Sequence, residues 1–424
     1  MKTPARLFPS TALLLLAAAP CAAADWSSIM GPNNNRKTAE AAPAKWTAEA
    51  PRKLWDIPVE GGFGSFVTGE GRAYVVLPTM VAGELRETLA AVDRKTGKTL
   101  WQTPLGHAKD YDGGGMRGAK GNDGGDGPRA TPVFSNGRVF VLGSKFDLHA
   151  IKADTGALLW KKELMADFGG RRIQWASAAS PVVLADRVIV SGGGEGQSAL
   201  AFRPDNGEVL WKTGNDRATH STPILATIHG KEQVLFMVER GLVSRDPANG
   251  KELWHYPFPY RTSTGPSPVV WQDIVNVSAG YGVGGGACQV LRSGDTWETK
   301  ELWRSPGNRD TAAHWSTAVA HDGYLYGCYG HGEYGVGAFK CIDIRTGAVK
   351  WEQKGFGHGQ TIMAGGRILS TSDAGQLRVI EPTPDVFREL ATAKVIDGKV
   401  WASLAFTDGQ LFLRSTKQGV CLEL

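Results

Sequence analysis

Six glycines stand at the same place in a repeated pattern of this chain, and five of them are followed four residues later by a tryptophan: Gly97/Trp101, Gly156/Trp160, Gly207/Trp211, Gly250/Trp254 and Gly347/Trp351. In the sixth, Gly294 and Trp303, the gap is five residues longer. A period of about 43 to 59 residues marks an array whose units bury a core only by stacking on one another. One unit reads clearly over 129–163. A strand follows Thr131-Pro132, the Asn136-Gly137 turn leads into RVFVLG, a loop leads to LHAIKA, and Thr155-Gly156 precedes ALLWKK, giving four short antiparallel strands. Other units open on Ser180-Pro181, Thr222-Pro223 and Ser267-Pro268, since proline is tolerated at the first residue of a strand.

Three-strand cores fall near 64–93, 129–154, 178–205, 220–247, 266–292, 314–344, 359–381 and 401–424. Fourth strands fall near Trp55, Trp101, Trp160, Trp211, Trp254, Trp303 and Trp351, with a version lacking tryptophan at 387–393. Both sets number eight, but they are offset by one: the strand at 53–59 precedes every core, and the last core ends the chain at Leu424. The pattern predicts a single all-β, eight-bladed propeller of four-stranded blades over 52–424, in which 53–59 supplies the outer strand of the last blade and so removes the open sheet edge. Residues 25–51 are expected to form an extended segment ahead of it. A tryptophan that recurs in every unit serves the unit, so these indoles are expected to pack against the neighbouring sheet.

Residues 1–24 carry Lys2 and Arg6, an apolar run, and Ala22-Ala23-Ala24 before Asp25, the layout of a signal peptide cut after Ala24. Such a segment predicts a periplasmic or secreted protein with no transmembrane segment in the mature chain. Cys21 opens a lipoprotein alternative, against which stand Pro20 at the bond to be cut and the missing Leu three residues before the cysteine. The whole chain has 47 basic and 42 acidic residues and no long run of either sign, so nucleic acid is not an expected partner.

Aligned on the turn glycine, Ala91, Ala150, Ala201, Ser244, Cys288 and Cys341 all fall six residues earlier, in a slot for small side chains that Cys421 also occupies in the last unit. Three of the four cysteines outside the leader therefore read as buried fillers. A Cys328–Cys341 bridge across neighbouring strands stays open.

At the level of these repeats the chain resembles the PQQ-like (pyrroloquinoline quinone-like) β-propeller superfamily. Its pattern A-x-D-x-x-T-G-x-x-x-W matches AAVDRKTGKTLW (90–101) and CIDIRTGAVKW (341–351), and DWSSIMGPNNN and GDGPRATP (125–132) are similar to secreted bacterial propellers of this type. The superfamily includes quinoprotein alcohol and sugar dehydrogenases as well as BamB, a non-enzymatic assembly factor, so the resemblance implies the fold and leaves the function open. The dehydrogenases need calcium against PQQ, a carboxylate base and often an adjacent cysteine pair. This chain has no adjacent cysteines and no C-x-x-C-H haem site, and no acid carries over as the base. The expectation is therefore a BamB-related, monomeric binding scaffold for a cell-envelope protein or extracellular ligand, with a PQQ- or metal-dependent oxidoreductase as the alternative.

In a propeller, the loops from one blade's outer strand to the next blade's inner strand share a face with the loops between second and third strands. That axial face gathers Arg129, Trp175, His220, Tyr281, His314, Trp315, His331, Glu333, His358 and Trp401. Glycine-rich loops lie there at 191–196, 279–286 and 329–337, where backbone can approach a ligand closely. His314, His331 and His358 with Glu333 form a candidate site for a transition metal or a sugar-like polar ligand. In the competing reading each imidazole bonds a loop carbonyl and the glycines only make tight turns. The insertion at 106–128 opens with Asp110 and Asp112 like a calcium loop, but Gly121 stands where the chelating glutamate belongs. That leaves a looser site with Asp123 and Asp126, or a flexible loop. Arg129, just after it, is a candidate clamp for an anion or one half of an ion pair within the ring.

Overall fold

The structure, a computed structural model, describes residues 24–46, 48–108, 127–308, 310–330 and 337–424. Its strands form eight sheets, antiparallel except for one added N-terminal strand, arranged as the blades of a propeller. Blade 1 runs outward from the axis through Val67–Gly69, Arg72–Val81, Glu84–Asp93 and Thr99–His107. Blades 2 to 7 follow at 133–163, 182–213, 224–257, 269–305, 319–353 and 359–394. Blade 8 takes three strands from 405–423 and its outer strand, Arg52–Pro58, from the beginning of the chain. Trp55 pairs with Cys421 there, and its ring lies 5.9 Å from that of Phe412. The offset count of inner and outer strands thus has its predicted meaning.

The recurring Gly/Trp pair is one contact seen from two blades. Six indoles leave their own outer strand and donate their N–H to a carbonyl in the next blade, and all but Trp351 also cover that blade's turn glycine. Trp55, Trp101, Trp160, Trp211, Trp303 and Trp351 bond the oxygens of Arg94, Ala153, Pro204, Pro247, Ile344 and Thr383 at 2.8–3.1 Å. A Cβ placed on Gly97, Gly156, Gly207, Gly250 or Gly347 would stand 2.6–2.8 Å from the docked indole. These glycines also have φ of 70–75°, which the turn requires and a larger residue resists.

Across the sheet, these six indoles and Trp254 each face a small residue of the third strand: Ala91, Ala150, Ala201, Ser244, Ala287, Cys341 and Cys421. Blade 5 corrects the sequence alignment, because Ala287 and not Cys288 fills the slot. A β-bulge at this position of the outer strand shifts the register in every blade, and the alignment on Gly294 is displaced by one. Cys288 packs instead in the core shared with Trp254, Val275 and Val277. Cys328 is opposite Phe339 and Cys341 opposite Tyr326, so the two thiols are diagonal neighbours, about 7–8 Å apart at Cα and beyond disulfide reach. All four described cysteines are buried and free.

Two seams depart from the rule. Trp254 sends its N–H to Gln233 of its own blade at 2.7 Å, and Gly294 of blade 5 has nothing within 4 Å of its Cβ position. Between blades 7 and 8, Ala391 stands where the tryptophan would be, and blade 8 has no loop from third to fourth strand to receive one. The N-terminal segment holds that seam. Lys37–Thr38 adds a parallel strand to Gly359–Ala364 of blade 7, and Glu40 accepts the backbone N–H groups of Asp408 and Gly409 in blade 8. The buried Arg36 guanidinium donates to Thr361 O, Gln360 Oε1 and Ser403 Oγ, one blade on each side.

The same segment closes one end of the ring. Ala24 O accepts from Thr407, Trp26 exchanges two hydrogen bonds with Thr68, Ser27 O accepts from Phe134 N, and Met30 enters the core of blades 4 and 5. These contacts lie at the end where first strands turn into second strands.

Gly156→Ala and Gly294→Ala both place alanine at positive φ, at about 1–2 kcal/mol each, but only the first also strikes an indole. Urea unfolding is expected to show Gly156→Ala the less stable by a further ~1–3 kcal/mol. Equal losses would remove docking as the glycine's purpose. Arg36→Ala, which strands three buried acceptors, is expected to cost about 3 kcal/mol and to open the 395–403 loop to protease. An unchanged digestion pattern would show that the seam does not depend on it.

Candidate functional site: an aromatic mouth on the ring axis

The end of the axis opposite the N-terminal segment is framed by the loops that enter the inner strands. A belt of buried hydroxyls fixes where those loops leave the ring. Ser65 N donates to Thr131 Oγ1, Ser180 bonds both Thr131 and Thr222, Ser221 bonds Pro266 O, Ser267 bonds Thr317, Ser316 bonds Gly359 O and Ser403 N bonds Ser65. Hydroxyls before the inner strands, several of them in the Ser-Pro and Thr-Pro pairs, therefore tie neighbouring blades together around the axis. Only the seam between blades 7 and 8 lacks such a bond among the described residues, and Arg36 spans it.

Above this belt the predicted residues converge. Trp175 lies parallel to Tyr281 with centroids 6.2 Å apart and also meets His220 at 6.2 Å. Tyr281 meets His314 edge-on at 4.6 Å, His314 meets Trp315 at 4.7 Å, and Trp315 meets His358 at 5.1 Å and Trp401 at 4.4 Å. Phe63, which the sequence reading did not single out, continues the series against Trp401 at 4.8 Å. Arg129 lies 5.9 Å over the Phe63 ring and Lys399, also missed, 4.8 Å over Trp401. The signal for Phe63 was its loop, Gly61-Gly62-Phe63-Gly64: a Cβ on Gly64 would stand 2.2 Å from Ala130 O, so only glycine lets the loop press against blade 2.

The imidazoles divide by environment. His220 Nε2 bonds Gln174 O at 2.8 Å and Nδ1 bonds Ser263 Oγ at 2.7 Å. Burial among these groups lowers its pKa to about 4, so the neutral ring donates from Nε2 and accepts at Nδ1. It braces the Trp175 loop through a loop carbonyl. His314 and His358 both pack on Trp315, and glycine makes room for them: a Cβ on Gly280 would stand 2.2 Å from His314 Nδ1, and one on Gly337 2.8 Å from His358 Nδ1. At these two positions glycine admits an imidazole rather than a ligand. His331, Glu333 and the acids of the insertion, Asp110, Asp112, Asp123 and Asp126, lie outside the described residues. Among the described residues no group of three or more His, Cys, Asp or Glu is placed to hold a metal.

A family model described as outer membrane protein assembly factor BamB matches residues 85–353. The chain belongs to this family. A search of curated protein sequences finds no match. Among solved structures, BamB from Moraxella catarrhalis is 15% identical with a TM-score of 0.58, over 88% of this chain and 98% of that one. Quinohemoprotein alcohol dehydrogenase from Comamonas testosteroni is 14% identical with a TM-score of 0.64, over 94% of this chain and 80% of that one. These likenesses establish the PQQ-like propeller fold. Neighbours of both kinds share it, so the site's own chemistry has to carry the function.

That chemistry does not fit PQQ with calcium among the described residues. The quinone needs a carboxylate-held cation beside it and a flat floor. Among the described residues the mouth of this BamB-family chain presents cations and tilted rings, and no group of three or more His, Cys, Asp or Glu is placed to hold the ion.

His149, buried in blade 2 and bonded to Asp147 O, is likewise held at about 4 by burial and the Lys161 charge. Both His149 and His220 have pKa values below the ordinary ~6.5, so the unfolded chain takes up their protons first. Their contribution is complete above pH ~6.5 and is lost as pH falls toward 4. Melting temperature should drop across this window, and His149→Leu should flatten the drop. A variant that tracks the parent at every pH would exclude His149 as a source.

Proposed function

We propose that this BamB-family propeller is a periplasmic or secreted, non-catalytic binding scaffold that engages a cell-envelope protein or an extracellular ligand through its axial mouth. The observation that carries this reading is convergence: loops from around the ring bring Phe63, Arg129, Trp175, His220, Tyr281, His314, Trp315, His358 and Trp401 together at one end of the axis, while residues 25–42 occupy the other. Rings and charges gathered this way form a surface with large contact area and little conformational freedom to lose. The basic, apolar and small-residue order of 1–24 supports export, with cleavage after Ala24 favoured over lipid attachment at Cys21. No helix of the described residues is long and apolar enough to cross a membrane. A PQQ- or metal-dependent oxidoreductase is the alternative, and dye reduction tests it directly.

Pull-down from envelope extract tests the surface. The parent chain and an outer-strand variant, Leu158→Lys, are expected to retain the same partner, and Trp401→Ala with Tyr281→Ala to lose it. Loss with the outer-strand variant and retention with the axial one would place the binding surface on the blade edges. Dye reduction by the protein supplied with PQQ and calcium and an alcohol or aldose would overturn the non-catalytic reading.

A further inference from the structure

The mouth is not shaped for a flat molecule. Neighbouring ring planes turn by 33° between Phe63 and Trp401, 38° between Trp315 and Trp401, 51° between Trp315 and His358, 73° between Tyr281 and His314, and 83° between His314 and Trp315. The parallel pair, Trp175 and Tyr281, has its centroids 6.2 Å apart, less than the roughly 7 Å that a planar group needs between two faces at van der Waals distance. A planar ligand would meet one face at a time. A chain of puckered rings, with C–H bonds directed to several sides, meets several faces together, and the negative face of an aromatic ring attracts those C–H groups.

Backbone geometry marks two of the same rings. Trp175 has φ of 62° and Tyr281 of 56°, the left-handed region that bulky side chains avoid at a cost of about 1–2 kcal/mol each. Two strained bulky residues from different parts of the ring stack on each other at the mouth, and strain of this kind clusters at ligand-binding sites. Hydrogen-bond chemistry adds a third point. The Trp401 indole N–H is buried and meets no acceptor among the described residues. Lys399 and Arg129 flank the Phe63–Trp401 pair, so three donors, two of them cationic, surround one tilted aromatic pair.

Resting on the axial-face reading above, we infer that the mouth binds an acidic oligosaccharide. Pyranose C–H faces lie on the Phe63–Trp401 and Trp175–Tyr281 platforms, ring oxygens or hydroxyls accept from the Trp401 N–H, and a uronate carboxylate is held by Arg129 and Lys399. Guanidinium matches a carboxylate through two parallel hydrogen bonds, which makes the acid group rather than the sugar hydroxyls the source of selectivity. His220 is neutral at physiological pH and bonded at both nitrogens, so it fixes the Trp175 loop without adding charge.

Calorimetric titration of the full chain with hexagalacturonate, its methyl ester and maltohexaose, with tryptophan fluorescence read in parallel, tests the assignment. Hexagalacturonate is expected to bind about tenfold or more tightly than either neutral sugar, and Arg129→Ala to erase that preference. Trp401→Ala is expected to abolish binding. Tyr281→Ala, expected to weaken it about tenfold, covers the case in which Trp401→Ala fails to fold. The assignment is overturned by absence of heat with hexagalacturonate, by equal binding of all three sugars, or by binding that Tyr281→Ala and Arg129→Ala leave unchanged. If no sugar binds while axial variants still lose an envelope partner, the saccharide assignment falls and the axial surface stands. If both fail, the axial reading falls with it.

Discussion

The indole that leaves one blade and lands on the turn glycine of the next is the contact from which the ring is built. A four-stranded blade has little interior of its own, so its stability lies in the seams, and at five of the eight seams one bulky side chain meets a place where a side chain is missing. This explains why the glycine and the tryptophan recur together in sequence although the partners in contact belong to different repeats. Trp101 covers Gly156, not Gly97. It also explains the bulge beside each tryptophan. The extra residue, Leu100 or Leu159 for example, turns the strand so that the indole leans out of its own sheet toward the neighbour.

A ring cut open at one seam must hold that seam by other means. Between blades 7 and 8 both repeated devices, the docked indole and the hydroxyl belt, are missing from the described residues, and the N-terminal segment replaces both. Arg36 is notable because its acceptors are a carbonyl, an amide and a hydroxyl rather than a carboxylate. Burial without a counter-charge lowers its pKa to about 10, which still leaves it fully charged at physiological pH. Neutral oxygens can hold a guanidinium because its charge is delocalised over five donors. Gln360, which accepts from Arg36, donates in turn to the carbonyls of Trp315 and Trp401. The closure of one end of the axis and the position of two rings at the other are thus linked through one amide.

The architecture was legible in the sequence because it is periodic, and the mouth was legible only in part because it is not. Counting inner and outer strands revealed the closure, since the surplus strand at 53–59 has no other edge to pair with. The small-residue slot was readable to one position, and the bulge beside Trp303 moved it from Cys288 to Ala287, a shift that hydrophobic pattern cannot report. Arg129, Trp175, His220, Tyr281, His314, Trp315, His358 and Trp401 were found by placing chemically distinctive residues on the axial loops. Phe63 escaped because phenylalanine in a glycine-rich loop looks like an ordinary hydrophobe, and Lys399 because a lone lysine carries no pattern. The roles of the imidazoles were beyond the sequence altogether: whether His220 is a ligand or a brace depends on Gln174 O and Ser263 Oγ, contributed by two different loops.

What the ring geometry does to the mouth follows from the same docking rule. Eight blades set around an axis present their inner loops at successive rotations, so side chains carried on those loops inherit different orientations. Rings on neighbouring loops therefore tend to meet at an angle, and a parallel pair requires a departure from the repeat. Trp175 and Tyr281 achieve theirs through left-handed backbone at both residues, one in the loop between blades 2 and 3 and the other in the loop between second and third strands of blade 5. The strain is carried by a frame that the hydroxyl belt and the docked indoles make rigid, so it is not relieved by movement of the blades. A scaffold whose stability sits in its seams can in this way hold a costly arrangement at its centre, and the cost falls on the residues that shape the mouth rather than on those that hold the ring.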